Sequence, residues 1–129
     1  MKTDMKNFYI TTTLPYVNAE PHVGHAMEFI RADVIAREKK IEGYEVFFNT
    51  GTDEHGMKIQ RSAEVLGVNT KEYVDKASEK FKDLLVLLGI SSDIHFIRTT
   101  DTKHVKAAQE FWKICDKNGF IYKKDYTTK

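Results

Sequence analysis

The chain has 129 residues, 41% of them apolar, and its 20 basic and 19 acidic side chains leave a formal net charge of +1. That length suits one domain with a buried core, and the balanced charge gives this segment no basic footprint for strong nucleic-acid binding on its own. Cys115 is the single cysteine, which excludes an internal disulfide and a cysteine-based zinc site, and no apolar run approaches the ~20 residues that cross a bilayer.

Residues 1–7 are polar and lack the apolar stretch of a secretory signal. A reducing, cytoplasmic setting with no membrane attachment is therefore expected. Phe8, Tyr9 and Ile10 read as a short strand. A helix is predicted over 24–42, with an apolar stripe at Val23, Ala26, Met27, Ile30, Val34 and Ile41. Gly43 should end it, with Lys39 and Lys40 in the last turn, where cations complement the helix dipole. Residues 44–49 are β-rich and read as a buried strand. Strand, helix and strand in this order make a βαβ unit with parallel strands and a right-handed crossover.

A second helix is predicted from Gly56 to Leu66 and Gly67. A third starts at Asn69, where Glu72 three residues on suggests a capping box. Its stripe is Tyr73, Val74, Ala77, Phe81, Leu84, Leu85 and Leu88, and Gly89 ends it. Residues 94–97 read as a short strand or extended segment. A fourth helix over 102–117 carries Val105, Ala108, Phe111, Trp112 and Cys115 on one core-type face. Asn118 and Gly119 stop it, and an extended segment begins at residues 120–122. The pattern is α/β and Rossmann-like, a parallel sheet with flanking helices.

Both prolines of the chain, Pro15 and Pro21, lie in the connection between the first strand and the first helix. Proline fixes φ and restricts the residue before it, so this loop should be stiff. It delivers His22 and His25 to the start of a helix, where unpaired N–H groups and the dipole favour an anion such as a polyphosphate. The next strand is followed by Gly51-Thr52-Asp53-Glu54-His55-Gly56. Ligands of parallel sheets bind beyond the carboxyl ends of the strands, and adjacent strands are ~5 Å apart, so both loops can face one small ligand.

Pro15-Tyr16-Val17-Asn18 followed by His22-Val23-Gly24-His25 resembles the His-Ile-Gly-His signature of class I aminoacyl-tRNA synthetases. With Gly51-Thr52-Asp53-Glu54-His55-Gly56 as the second motif, the chain resembles the methionyl-tRNA synthetase family; the leucine, isoleucine and valine enzymes usually carry Gly-Trp-Asp there. The resemblance runs from about residue 8 to the end. It implies the first half of a class I catalytic domain of the Rossmann (HUP) type. It also implies a methionine–tRNA ligase that uses ATP with Mg2+ as substrate, activates methionine and passes it to tRNA(Met).

By that resemblance His22 and His25 are the catalytic residues and contact the ATP phosphates. Gly24 leaves room for adenine, and Glu28 reaches a ribose hydroxyl. Thr13, Leu14 and Tyr16 line the methionine pocket, and Asp53 holds the α-ammonium. The chemistry suits these types: imidazoles can donate N–H groups to phosphate oxygens without acting as bases, a carboxylate pairs with an ammonium, and a thioether favours aromatic contact.

Other readings of the same residues stand beside these. A bare His-x-x-His is often ordinary surface, or part of a metal site if Asp53, Glu54 and His55 supply further ligands. Asp53 could instead cap the following helix. Leu14 could be simple core, Glu28 a solvated helical side chain, and Glu54 and His55 loop architecture. The Lys-Met-Ser-Lys-Ser loop of the family, its inserted connective domain with a cysteine zinc knuckle, and its anticodon-binding domain have no counterpart in residues 1–129. The expectation is a catalytic fragment, without zinc, that needs the missing C-terminal half. Another class I synthetase, a nucleotidylyltransferase, a non-catalytic binding module derived from a synthetase, and a metal-dependent hydrolase are the alternatives.

Overall fold

A computed structural model describes residues 6–127; the polar residues 1–5 and the last two lie outside that range. The elements run β1 (Asn7–Thr11), α1 (Val23–Ile41), β2 (Glu45–Thr52), α2 (Met57–Val65), α3 (Thr70–Leu87), β3 (His95–Arg98) and α4 (Thr102–Lys117). They fall into two units, Met1–Thr99 and Thr100–Lys129. The first holds a three-stranded parallel sheet in the order β1-β2-β3. The register pairs Phe8 with Val46 and Ile10 with Phe48 on one side of β2, and Gly51 with Ile97 on the other.

Alternation along the strands separates two faces. Ile10, Val46 and Phe48 pack against Ala32 and Ala36 of α1. Phe96 joins a second cluster built from Val17, Phe29, Ile59, Val74, Phe81 and Leu85, which ties α1, α2 and α3 together. Burying a Phe, Leu or Ile of this kind contributes about 1.5–3 kcal/mol each, so these two clusters hold the unit together. On the opposite face Tyr9 stacks on Phe47, with ring centroids 5.6 Å apart, and Phe47 stacks on His95 at 4.1 Å. Within this unit Tyr9 and Phe47 stay 62% and 46% exposed, so the second face is open.

The stripe predicted for α1 is not the buried one. Val23, Met27, Ile30, Val34 and Ile41 are exposed, and the buried residues are Phe29, Ala32, Asp33 and Ala36. The helix is apolar on both flanks, so the helical period admits either face. Alanine lets the helix approach Phe48 closely, and that decides the choice. Asp33 can join the buried face because its carboxylate accepts from Arg37 Nε at 2.7 Å and from both the N–H and the hydroxyl of Ser91. Arg37 Nη2 in turn donates to Gly89 O at 2.7 Å. Together these bonds clamp α1 to the end of α3.

The second strand runs longer than its apolar core, through Gly51 and Thr52. A glycine inside a β pattern reads as a boundary, but here it is a strand residue with no room for a side chain: a Cβ at Gly51 would lie 1.8 Å from Ile97 O of β3. Asn69 caps α3, its side chain accepting from Lys71 N at 2.8 Å. The predicted partner in a capping box, Glu72, instead pairs with Lys76 one turn on, at 2.7 Å. The α3 stripe packs as expected, with Val74, Ser78, Phe81 and Leu85 buried.

In the second unit α4 forms over the predicted span, but no residue of it is buried, and Phe111 and Trp112 are 68% and 63% exposed. The amphipathic stripe is present, but the described residues of this unit form no second helix or strand to pack against it. Residues 120–127 follow without regular structure, and Phe120 and Tyr122 are exposed.

Candidate active site

The loop after β1 is held by its own polar residues. Thr12 N donates to Asn49 O at 3.3 Å, and the buried hydroxyls of Thr12 and Thr50 meet at 2.6 Å. Thr13 donates its N–H and its hydroxyl to the two carboxylate oxygens of Glu28, each at 2.7 Å. Glu28 therefore anchors the loop to the second turn of α1 and is more than a solvated side chain. Leu14 is half-buried, between Thr13 and the buried Pro15.

Beyond Pro15 the loop re-enters the ladder. Asp53 N donates to Pro15 O at 2.9 Å, and Val17 N donates to Asp53 O at 3.2 Å, which makes a parallel bridge between Tyr16 and Asp53. The two sequence motifs are thus joined main chain to main chain, the convergence expected from the βαβ reading. Tyr16 packs on the cluster of α1, α2 and α3. Its hydroxyl sits 2.6 Å from where a Cβ of Gly56 would be, and Gly56 has φ +128°. Only glycine fits there, on grounds of both backbone conformation and space.

His22 is the N-cap of α1. Its Nδ1 accepts from Gly24 N at 3.1 Å, while its own N–H donates to His25 Nδ1 at 3.2 Å. This is a capping box built from two histidines. The rings stack with centroids 3.7 Å apart, and His25 meets the edge of Phe81 at 5.2 Å. Since both Nδ1 atoms accept backbone hydrogen bonds, each neutral ring carries its proton on Nε2. Burial, with the neighbouring His22, holds the His25 imidazole below its ordinary value, against the pull of Glu28. The site therefore presents Nε2–H donors at a helix start, with no acidic residue in the first turn. Gly24 is required by this cap, because a Cβ there would lie 2.9 Å from His22 Cε1 and 3.0 Å from its Nδ1.

Asp53 is half-buried and does not cap α2, whose N-cap is Gly56. Its carboxylate has no hydrogen bond or ion pair among the described residues. Glu54 is quite different. Its side chain is 0% exposed and accepts from Thr52 Oγ1 at 2.7 Å and from Arg98 Nε and Nη2 at 2.6 and 2.9 Å. Arg98 Nη2 also meets Asp75 Oδ1 at 2.7 Å. Glu54 N donates to Thr99 Oγ1 at 2.8 Å, and His55 Nε2 lies 3.2 Å from Thr99 O. Asp75, bonded by Lys71 and Arg98, sits below the usual carboxylate range, and Glu54 and Asp75 hold the Arg98 guanidinium well above its own.

Sequence reasoning did not single out Arg98, Asp75 or Thr99. The available signal was an arginine closing an apolar strand at a carboxyl end. Among the described residues no group of three or more His, Cys, Asp and Glu side chains is placed to hold a metal ion. A cleft of about 350 Å³ between Asn18–Glu20 of the loop and Tyr73, Lys76 and Lys80 of α3 contains none of the predicted site residues.

Known proteins resemble this chain in both sequence and fold. Residues 8–129 match a family model described as tRNA synthetases class I (M). The methionine–tRNA ligase of Thermotoga maritima is 51% identical over 119 residues, which are 92% of this chain and 19% of that protein. Among solved structures, the Mycobacterium tuberculosis methionyl-tRNA synthetase in complex with methionyl-adenylate superposes with a TM-score of 0.86 at 46% identity, covering 89% of this chain and 22% of that one. The Agrobacterium radiobacter K84 LeuRS, in a ternary complex with tRNA, gives 0.83 at 25% identity, over 96% of this chain and 16% of its own. The chain thus spans about a fifth of the length of these relatives. With both motifs joined at the ends of parallel strands and the family match running through nearly all of it, the chain belongs to the class I tRNA synthetases, in their methionyl (M) family.

Proposed function

We propose that this segment supplies the methionine-binding and phosphate-binding part of a methionine–tRNA ligase active site. The observation that carries the reading is the Tyr16–Asp53 bridge. It fixes the main chain of Asp53, whose carboxylate is uncommitted, against a loop that ends at a helix start in two histidines whose Nδ1 atoms accept backbone hydrogen bonds and leave Nε2 as the donor. In this reading Asp53 pairs with the methionine ammonium, and Thr13, Leu14 and Tyr16 border the thioether. His22 and His25 donate Nε2–H to ATP phosphate oxygens, and Gly24 lies against adenine. Glu28 keeps a lone pair on each oxygen for a ribose hydroxyl while it holds Thr13.

The methionine carboxylate attacks the α-phosphate of ATP, entering as its Mg2+ complex. Methionyl-adenylate forms and pyrophosphate leaves. The methionyl group then passes to the 3′ end of tRNA(Met). The chain's own residues contribute orientation and hydrogen bonds, and none of them needs to move a proton. The lysine loop, the connective domain and the anticodon-binding domain come from the C-terminal remainder, and the setting is the cytoplasm.

The test is methionine-dependent pyrophosphate exchange, run on the chain alone and with a separately expressed C-terminal remainder. Loss of a single preorganised donor commonly costs ~10²–10³ in rate, so the chain alone should be silent and mixing should restore exchange. Strong exchange by the chain alone would refute the need for the remainder. Silence in the mixture as well, with folded partners that bind each other, would refute the ligase reading.

A further inference from the structure

We infer that Arg98 is a positioning residue for Asp53, acting through the buried carboxylate of Glu54; the inference rests on the ligand role given to Asp53 above. Three elements meet on this one guanidinium. Arg98 stands at the end of β3, Glu54 follows the end of β2, and Asp75 lies in α3. Two parallel bonds of 2.6 and 2.9 Å form a fork on Glu54, a geometry that fixes the carboxylate in direction as well as in distance.

Nothing in general stability requires an ion pair here. Buried pairs often give no more than well-packed apolar residues of the same volume, and their best-attested use is to fix registry. The registry at stake is that of the next residue back. Glu54 is pinned at its side chain by Arg98 and Thr52 and at its N–H by Thr99. Asp53 is therefore held from one side by Glu54 and from the other by Pro15 and Val17. Its main chain is bonded on both sides, which sets the point from which its uncommitted carboxylate leaves the backbone. Tyr16 sits on the same bridge, so the effect is confined to the amino-acid half of the site. The histidine cap is held by its own box and by Phe81, and among the described residues neither histidine bonds to Arg98, Glu54 or Thr99.

The experiment uses Arg98→Lys, which keeps the charge and loses the fork, and the paired substitution Glu54→Gln with Arg98→Met, which leaves no buried charge unmatched if the single change fails to fold. On the chain itself, amide hydrogen exchange of Asp53 and Val17 should accelerate tenfold or more in each variant. The amide of Gly24, in the cap, should stay within twofold of the parent. Unchanged protection at Asp53 and Val17, or an equal loss everywhere, overturns the inference. In the complemented enzyme, the KM for methionine should rise tenfold or more while the KM for ATP holds. A fall in kcat with both KM values unchanged would mark a merely structural residue and overturn it too. If the parent shows no methionine-dependent exchange, the ligase reading fails, and amide exchange still decides whether Arg98 positions Asp53.

Discussion

Replacing Gly51 by alanine tests the close approach of β2 and β3. The new Cβ would sit 1.8 Å from Ile97 O and 2.7 Å from its carbonyl carbon. Both are backbone atoms, so no side chain can turn aside. Restoring an ordinary contact of roughly 3.4 Å opens the strands locally by about 1.6 Å, enough to break the neighbouring ladder bonds, which tolerate N···O distances of only ~2.7–3.2 Å. The register on either side is Thr50 with Phe96 and Thr52 with Arg98. Losing two or three such bonds at ~0.5–1.5 kcal/mol each costs about 1–4 kcal/mol, a large part of the ~5–15 kcal/mol that a domain commands. Near the middle of that range, the melting temperature should fall by roughly 10–20 °C. Thermal melts followed by circular dichroism read this directly. Gly67→Ala is the control: its φ of +66° disfavours a side chain, but no atom lies within 4 Å, so only the left-handed conformation is penalised, at ~1–2 kcal/mol. If Gly51→Ala melts within a few degrees of the parent, or no lower than Gly67→Ala, the steric argument is wrong.

Three further outcomes follow from the site. In the complemented enzyme Asp53→Ala removes one charge-assisted bond worth ~1.5–3 kcal/mol and should cut methionine-dependent exchange tenfold or more, with the melt of the chain little changed. Gly24→Ala should displace the His22 ring, trading a cap worth ~1 kcal/mol against the ~1 kcal/mol by which alanine exceeds glycine in a helix; the melt should barely move while exchange falls at least as far as in His22→Ala. His25 has a folded pKa below its ordinary 6.5, so the native state binds fewer protons than the unfolded one and its contribution to stability is full above about pH 6.5. That contribution drains away as pH falls through the folded value, when a proton on Nδ1 would displace the His22 N–H. The melting difference between the parent and His25→Gln should therefore narrow from pH 7.5 to pH 5, and a difference that widens would contradict the neutral cap.

Much of the fold could be read from local pattern. α3 and α4 carry punctuation at both ends, and their limits emerged within a residue. The α1 face could not be read that way, because its burial depends on what the sheet accepts, and two alanines over Phe48 outcompete a row of larger side chains. Gly51 misled for a related reason: a local reading sees a breaker where the neighbouring strand needs a gap. In the site, His22, His25 and Asp53 stood out by motif and resemblance. The role of Gly24 as the room for a histidine cap, the bond from Glu28 to Thr13, and the Arg98–Glu54 fork did not. Each depends on a contact that the local pattern does not show, and the last joins Glu54 to a residue 44 positions away in sequence.

The bridge between Tyr16 and Asp53 also limits how this stretch of sequence can change in length. Between the end of β1 at Thr11 and Tyr16 the chain is tied at Thr12 to Asn49 and Thr50, at Thr13 to Glu28, and at Pro15 to Asp53. Surface loops ordinarily absorb an inserted residue at little cost, but this one is stitched at one end to β2 and at the other to Asp53 just beyond it. One residue more or fewer before Pro15 would shift the bridge by a position, turning Tyr16 out of the core and placing Val17 or Pro15 opposite Asp53. The spacing from Thr12 to Tyr16 behaves as a count rather than a length. A library of single insertions and deletions should find it far less tolerant than the turn at Gly67, where an added side chain would meet no atom within 4 Å.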